Sequence, residues 1–196
     1  MFLARAVVSF YFKSETLMKF DHFLDIIREI LTWGSFKIRV WEDRELIGFT
    51  NYQMQGNFVK VSRSDVGEAG NIDISADACL SGDKKGYYGL VLKCNVEDGC
   101  FLVDEDPLTL NIDNDPPRVF PLDRSFYKRQ EVNILGSRQI IEVDRFLVPL
   151  LLIQKIANAK NISFFVKGTR KTIEGYFLLK NIHRFKRFCE RYLALQ

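Results

Sequence analysis

Cationic side chains are the most concentrated chemical feature of this sequence. Lys167, Arg170 and Lys171 are followed by Lys180, His183, Arg184, Lys186, Arg187 and Arg191, so nine side chains that carry or can carry positive charge fall within 25 residues. Such a cluster can hold phosphate groups of nucleic acid or of an acidic membrane surface, because Lys and Arg gain free energy by displacing condensed counterions. The whole chain, however, has a net charge of only +3 and an isoelectric point near 8.6. A dedicated nucleic-acid binder carries a far stronger basic footprint. The first reading is therefore a solvated helix face whose cations also suit the helix dipole. An anion-binding surface made of Lys167, Arg170, Lys171, Lys180, Arg184, Arg187 and Arg191 is the competing one.

Acidic residues form the second cluster. Asp104, Glu105 and Asp106 precede, and Asp113, Asn114 and Asp115 follow, a short apolar stretch at 108–112. Folded to one edge, Asp104, Asp106, Asp113 and Asp115 would offer Ca²⁺ some of the six to eight oxygen ligands it takes. The spacing is not that of an EF-hand loop. Asp113-Asn114-Asp115-Pro116-Pro117, followed by Phe120, resembles the calcium-binding linker of cadherins over about ten residues, without the other motifs of that family. Asp, Asn and Pro in this order also make ordinary turns, and no metal or cofactor is expected.

Other chemistry is thinly represented. The two histidines, His22 and His183, fall on predicted helices away from any evident nucleophile, so no catalytic residue is assigned. Cys79, Cys94, Cys100 and Cys189 include no CxxC pair. They are read as reduced, mostly buried thiols of a cytoplasmic protein long enough to fold without disulfides. Cys94 and Cys100 flank a turn at Asp98-Gly99 and could face one another. The Gly67-Glu68-Ala69-Gly70 stretch lacks the Lys and Ser/Thr of a phosphate loop.

These residues need elements to position them. Hydrophobic residues make up 47% of the chain and include 17 Phe, enough to build a core and exclude a disordered chain. Residues 2–12 read as a strand rather than an export signal, since Arg5 interrupts the apolar run. Ser14 then caps a helix carrying Leu17, Phe20, Leu24, Ile27 and Leu31 up to Trp33-Gly34. From 35 to 143 the apolar period becomes two, with strands predicted at 36–41, 46–52, 57–62, 71–75, 87–96, 101–104, 108–112, 119–122, 130–135 and 139–143. Pro149 is placed at the first position of a helix that ends near Asn158. A hairpin over 162–166 and 172–179 follows, turning at Gly168-Thr169. Asn181 caps a last helix whose apolar stripe is Ile182, Phe185, Cys189, Tyr192 and Leu193.

The expected fold is α+β and mainly β, in a single domain spanning 1–196. It is an antiparallel sandwich or barrel with an N-terminal helix and two C-terminal helices flanking a hairpin. Strands followed by a terminal helix are a layout similar to pleckstrin-like barrels, a likeness of fold only. The longest apolar run, 146–153, is too short to cross a membrane, so an integral membrane protein is not expected. Function is expected to be that of a non-catalytic binding or regulatory module, with a protein partner or a second copy of the chain as occupant. An anionic-ligand binder using the basic helix is the alternative, for nucleic acid or an acidic membrane surface. A hydrolase with an unrecognised site is the third class.

Overall fold

A computed structural model describes residues 36–64, 71–83, 85–134 and 137–193. The predicted N-terminal strand and helix, with His22, and the Gly67–Gly70 turn lie outside these residues. Eleven strands precede, separate or follow two helices: β1 (Lys37–Glu42), β2 (Phe49–Gln55), β3 (Lys60–Ser64), β4 (Asn71–Ser81), β5 (Gly86–Glu97), β6 (Leu108–Ile112), β7 (Arg118–Phe120), β8 (Lys128–Ile134), β9 (Ser137–Leu147), α1 (Leu150–Asn158), β10 (Ile162–Lys167), β11 (Thr172–Tyr176) and α2 (Leu179–Phe188), which runs into a π-helical turn, Cys189–Leu193. The fold is mostly β, with antiparallel sheets that include a curled half-barrel.

One sheet has the order β1-β2-β4-β5-β9-β8 and the other β3-β11-β10-β6-β7. Strands with one solvated face keep the alternation that the sequence advertises. β6 buries Leu108, Leu110 and Ile112, and β10 buries Ile162, Phe164 and Val166. β4 and β5 are central and buried on both faces, so β4 extends through the small residues Ala76, Ala78 and Cys79 to Ser81, six residues past the predicted end. Its outward face carries Asp77, whose carboxylate meets the Arg145 guanidinium of β9 at 2.8 Å across β5. Gly89 of β5 lies under that pair, where a Cβ would stand 2.0 Å from Asp77 Oδ1 and 2.8 Å from Arg145 Nε. Only a residue without a side chain lets the two charges meet there.

Three local expectations are corrected. The strand expected from Leu46 begins at Phe49, because Asp43 Oδ1 accepts hydrogen bonds from the Glu45 and Leu46 amides and winds this segment into a turn. Ile47 is consequently 97% exposed. The strand expected at 101–104 is absent. Leu102 makes only an isolated bridge with Gly168, and Phe101 sits at φ +59°, outside strand geometry. Asn181 lies inside α2 and caps it from there, since the N-cap residue is Leu178 and Asn181 Oδ1 accepts the Leu178 amide at 2.9 Å.

Helices this short are marginal alone and form here because one face of each is buried. α1 buries Leu152, Ile153, Ile156 and Ala157, and α2 buries Ile182, Phe185 and Phe188, in a core shared with both sheets. Each buried Leu, Ile or Phe among them contributes on the order of 2 kcal/mol. Asn181 adds a polar anchor, donating through Nδ2 to Asn57 Oδ1 and to the Phe58 carbonyl. Pro149, expected as the first helical residue, is the extended N-cap of α1.

Candidate functional site

The cations that crowd together in the sequence separate in space. Lys167, Arg170 and Lys171 surround the β10–β11 turn, whereas α2 begins beyond the other end of β11, roughly 15 Å along the strand. On α2, Lys180, His183, Lys186 and Arg187 are exposed, as is Arg191 in the turn after it. Arg184 belongs to the interior edge. It donates to the Gly56 carbonyl at 2.8 Å and lies over the Phe36 ring, and burial holds its pKa below the ordinary value. Lys186 faces Glu190 at 4.0 Å, and Arg191 lies over the Tyr192 ring.

At the hairpin tip the cations converge. Arg170 stands 4.1 Å from the centroid of the Phe101 ring, and Arg129 of β8 stands 4.8 Å from the same centroid. Lys171 Nζ donates to the Glu97 carbonyl at 2.6 Å, and Arg170 to the Asp98 carbonyl at 3.3 Å. Lys167 is exposed on β10 beside them. Nothing in the sequence placed Arg129 in this group.

What holds the loop beneath these cations is a buried carboxylate. Glu142 of β9 is 0% exposed. Its Oε2 accepts the amides of Cys100 and Phe101 at 2.9 and 2.8 Å, and its Oε1 accepts the Leu102 amide at 3.1 Å and the Tyr127 hydroxyl at 2.7 Å. Four donors replace the water that the carboxylate has lost. Burial, then the bond to Glu142, pushes the Tyr127 phenol well above its usual range. The clamp keeps Phe101 in the left-handed region, a conformation that costs a bulky residue about 1–3 kcal/mol.

Cys94 and Cys100 pack beside this carboxylate and form no disulfide; Cys79 and Cys189 are likewise free. Burial, then the neighbouring Glu142, raises the Cys100 thiol to about 12, and burial raises Cys94 well above its ordinary value. Neither is an activated thiolate. Cys100 Sγ donates to the Lys171 carbonyl at 3.2 Å. Gly168 closes the contact, since a Cβ there would lie 2.2 Å from the Cys100 carbonyl oxygen and 2.5 Å from its sulfur.

The acidic cluster divides as well. Asp104 and Asp106 precede β6 and Asp113 and Asp115 follow it, so the strand separates them by roughly 15 Å. Asp104 pairs with Arg124, and Asp115 with Lys155. Asp113 Oδ1 accepts the amides of Lys160 and Asn161 at 2.9 and 2.8 Å, fixing the turn between α1 and β10. Among the described residues no group of three or more His, Cys, Asp or Glu side chains is arranged to hold a metal ion. No helix among them is long and apolar enough to cross a membrane.

A groove of about 830 Å³ lies between β7, the end of β9 and the start of α1. Val119, Phe120, Leu147 and Leu151 line it, with Arg118 and Lys155 among its polar residues. Val119 is 46%, Leu147 56% and Leu151 76% exposed. β7 is the last strand of its sheet, with β6 on one side and no strand among the described residues on the other. Sequence reasoning missed this groove because it is assembled from residues 118 to 155 in three elements. One signal was present: the run Leu150-Leu151-Leu152-Ile153 holds more aliphatic side chains than one face of a short helix can bury.

No protein-family model, curated protein or solved structure matches this chain.

Proposed function

We propose that this protein is a binding module that takes an extended segment of a partner polypeptide into the groove beside β7. The observation that carries the reading is the combination of a β7 edge that no strand among the described residues pairs with and exposed aliphatic side chains next to it. An open edge offers main-chain donors and acceptors in strand register, and pockets beside it accept alternate side chains of an added strand. Exposed Val119, Leu147 and Leu151 supply those pockets. The volume, about 830 Å³, accommodates a few residues rather than a folded surface.

The rim carries Arg118, Lys155 and Asp123, and Arg118 offers a cation to an acidic residue of the segment. Lys155 is paired with Asp115, while Arg118 has no ion-pair partner among the described residues. The reading is non-catalytic, because no nucleophile and base pair lines the groove.

Selection from a displayed peptide library tests this. The intact protein should enrich sequences with alternating aliphatic residues and a nearby Asp or Glu. Leu151→Lys and Leu147→Asp, both substitutions of exposed residues, should weaken binding of those peptides at least tenfold, and Arg187→Gln on α2 should not. Enrichment of the same sequences by the Leu151→Lys protein, or no shared pattern at all, would overturn the proposal.

A further inference from the structure

We infer that the tip of the β10–β11 hairpin is a second, separate binding site, for a phosphate monoester group. Two segments distant in sequence bring their cations onto one loop: Arg129 from β8, and Arg170 and Lys171 from the hairpin turn, around Phe101. Bringing like charges together is unfavourable unless something offsets them. Glu131 offsets part of this, since it acts on Arg129 while its two oxygens bond Arg138 at 2.7 and 2.8 Å, and Asp98 also acts on Arg138. Below the loop the Glu142 carboxylate is hydrogen-bonded by four neutral donors and carries the remaining negative charge.

Phe101 itself supports a functional reading. Its neighbours Cys100 and Leu102 point into the core, but Phe101 is only partly buried and its backbone is left-handed. Strain held at a partly exposed position by a buried clamp is a mark of a presented site. Both guanidinium groups lie against the π-system of the ring, at 4.8 and 4.1 Å from its centroid. Arg170 gives one N–H to the Asp98 carbonyl, and Lys171 gives one of its three to Glu97.

Two guanidinium groups and an ammonium match a dianion with three terminal oxygens better than a single carboxylate, which one guanidinium already saturates. The shared chemistry is therefore a phosphate monoester, either on a free small molecule or on a lipid headgroup. Exposure of the cations makes binding sensitive to salt.

The test is titration of the full chain at low ionic strength, followed through backbone amide shifts. Phenyl phosphate should saturate shifts at Phe101, Arg129, Arg170 and Lys171. Arg129→Gln and Arg170→Gln should each weaken binding about tenfold with unchanged thermal midpoints, and Arg187→Gln should leave it unaltered. Benzoate should bind several-fold more weakly than phenyl phosphate. Vesicles containing phosphatidic acid form a second arm. Retention on them, lost in Arg129→Gln and absent with phosphatidylglycerol, would assign the phosphate to a lipid headgroup. The inference fails if neither phenyl phosphate nor phosphatidic acid binds saturably, if benzoate binds equally well, or if Arg187→Gln is as damaging as Arg129→Gln.

Discussion

The hairpin tip and the last helix are both basic in sequence, yet they use their cations differently. At the tip, Arg129 and Arg170 meet over one aromatic ring because the loop beneath them is fixed by Glu142. On α2 the cations disperse. Arg184 turns to the Gly56 carbonyl, Lys186 faces Glu190, and Lys180 and Arg187 point to solvent. Charge density along a chain becomes charge density in space only where a rigid support makes it so. The support at the tip is a buried acid, whereas the support of α2 is an apolar stripe that leaves its cations free to spread.

Removing the tip's support should produce the largest effect. Glu142→Ala strands three backbone amides and the Tyr127 hydroxyl in a dry interior, with an expected loss of about 3–5 kcal/mol in urea unfolding. Phosphate binding at the tip should disappear with it. A loss below about 1 kcal/mol would show that the clamp is not what holds Phe101 in place.

A second buried acid, two residues further along β9, sharpens the contrast. Asp144 is also 0% exposed, but its Oδ1 accepts the Arg145 amide, the Asp123 backbone favours its charged form, and Oδ2 has no hydrogen-bond partner among the described residues. Burial accordingly raises its pKa from 3.8 to about 6. A raised pKa means the folded state binds the proton more tightly than the unfolded chain does. The charged form thus costs stability in full above about pH 6, and the cost vanishes as pH falls to about 4. The expected gain between neutral and mildly acidic pH is at most roughly 3 kcal/mol. Asp73 and Asp77 are raised by burial in the same direction, so the difference between the parent and Asp144→Asn isolates this group. Parallel pH profiles for the two proteins would refute the assignment.

These two acids also mark the limit of what the sequence revealed. β6 was expected at 108–112 and occupies Leu108–Ile112, and the hairpin and last helix were legible because each has one wet and one dry face. β4 outruns its expected end because burial on both faces erases the period of two. Glu142 sits between apolar neighbours in a strand, which shows that an acid faces the core, but the amides it captures come from residues 100–102. The tip site and the groove both depend on such long-range pairings, which no local pattern records.

The polar anchor of α2 should have the next effect. Asn181→Ala removes two bonds donated to Asn57 and Phe58 and the one accepted from Leu178, all buried or half-buried. An expected loss of about 2 kcal/mol, with unaltered phosphate binding, separates helix docking from the tip.

The smallest effect tests the difference within α2 itself. Arg184 and Arg187 are one turn apart and were grouped together by spacing, but only Arg184 is tied to the body, through Gly56 and Phe36. Replacing Arg184 with Ala leaves the Gly56 carbonyl without that donor and removes a cation from an aromatic face, for an expected loss of about 1–2 kcal/mol. Arg187→Ala removes an exposed charge and should stay within about 0.5 kcal/mol of the parent. Equal losses would mean that the helix uses its cations as one surface, and the contrast with the hairpin tip would then fall.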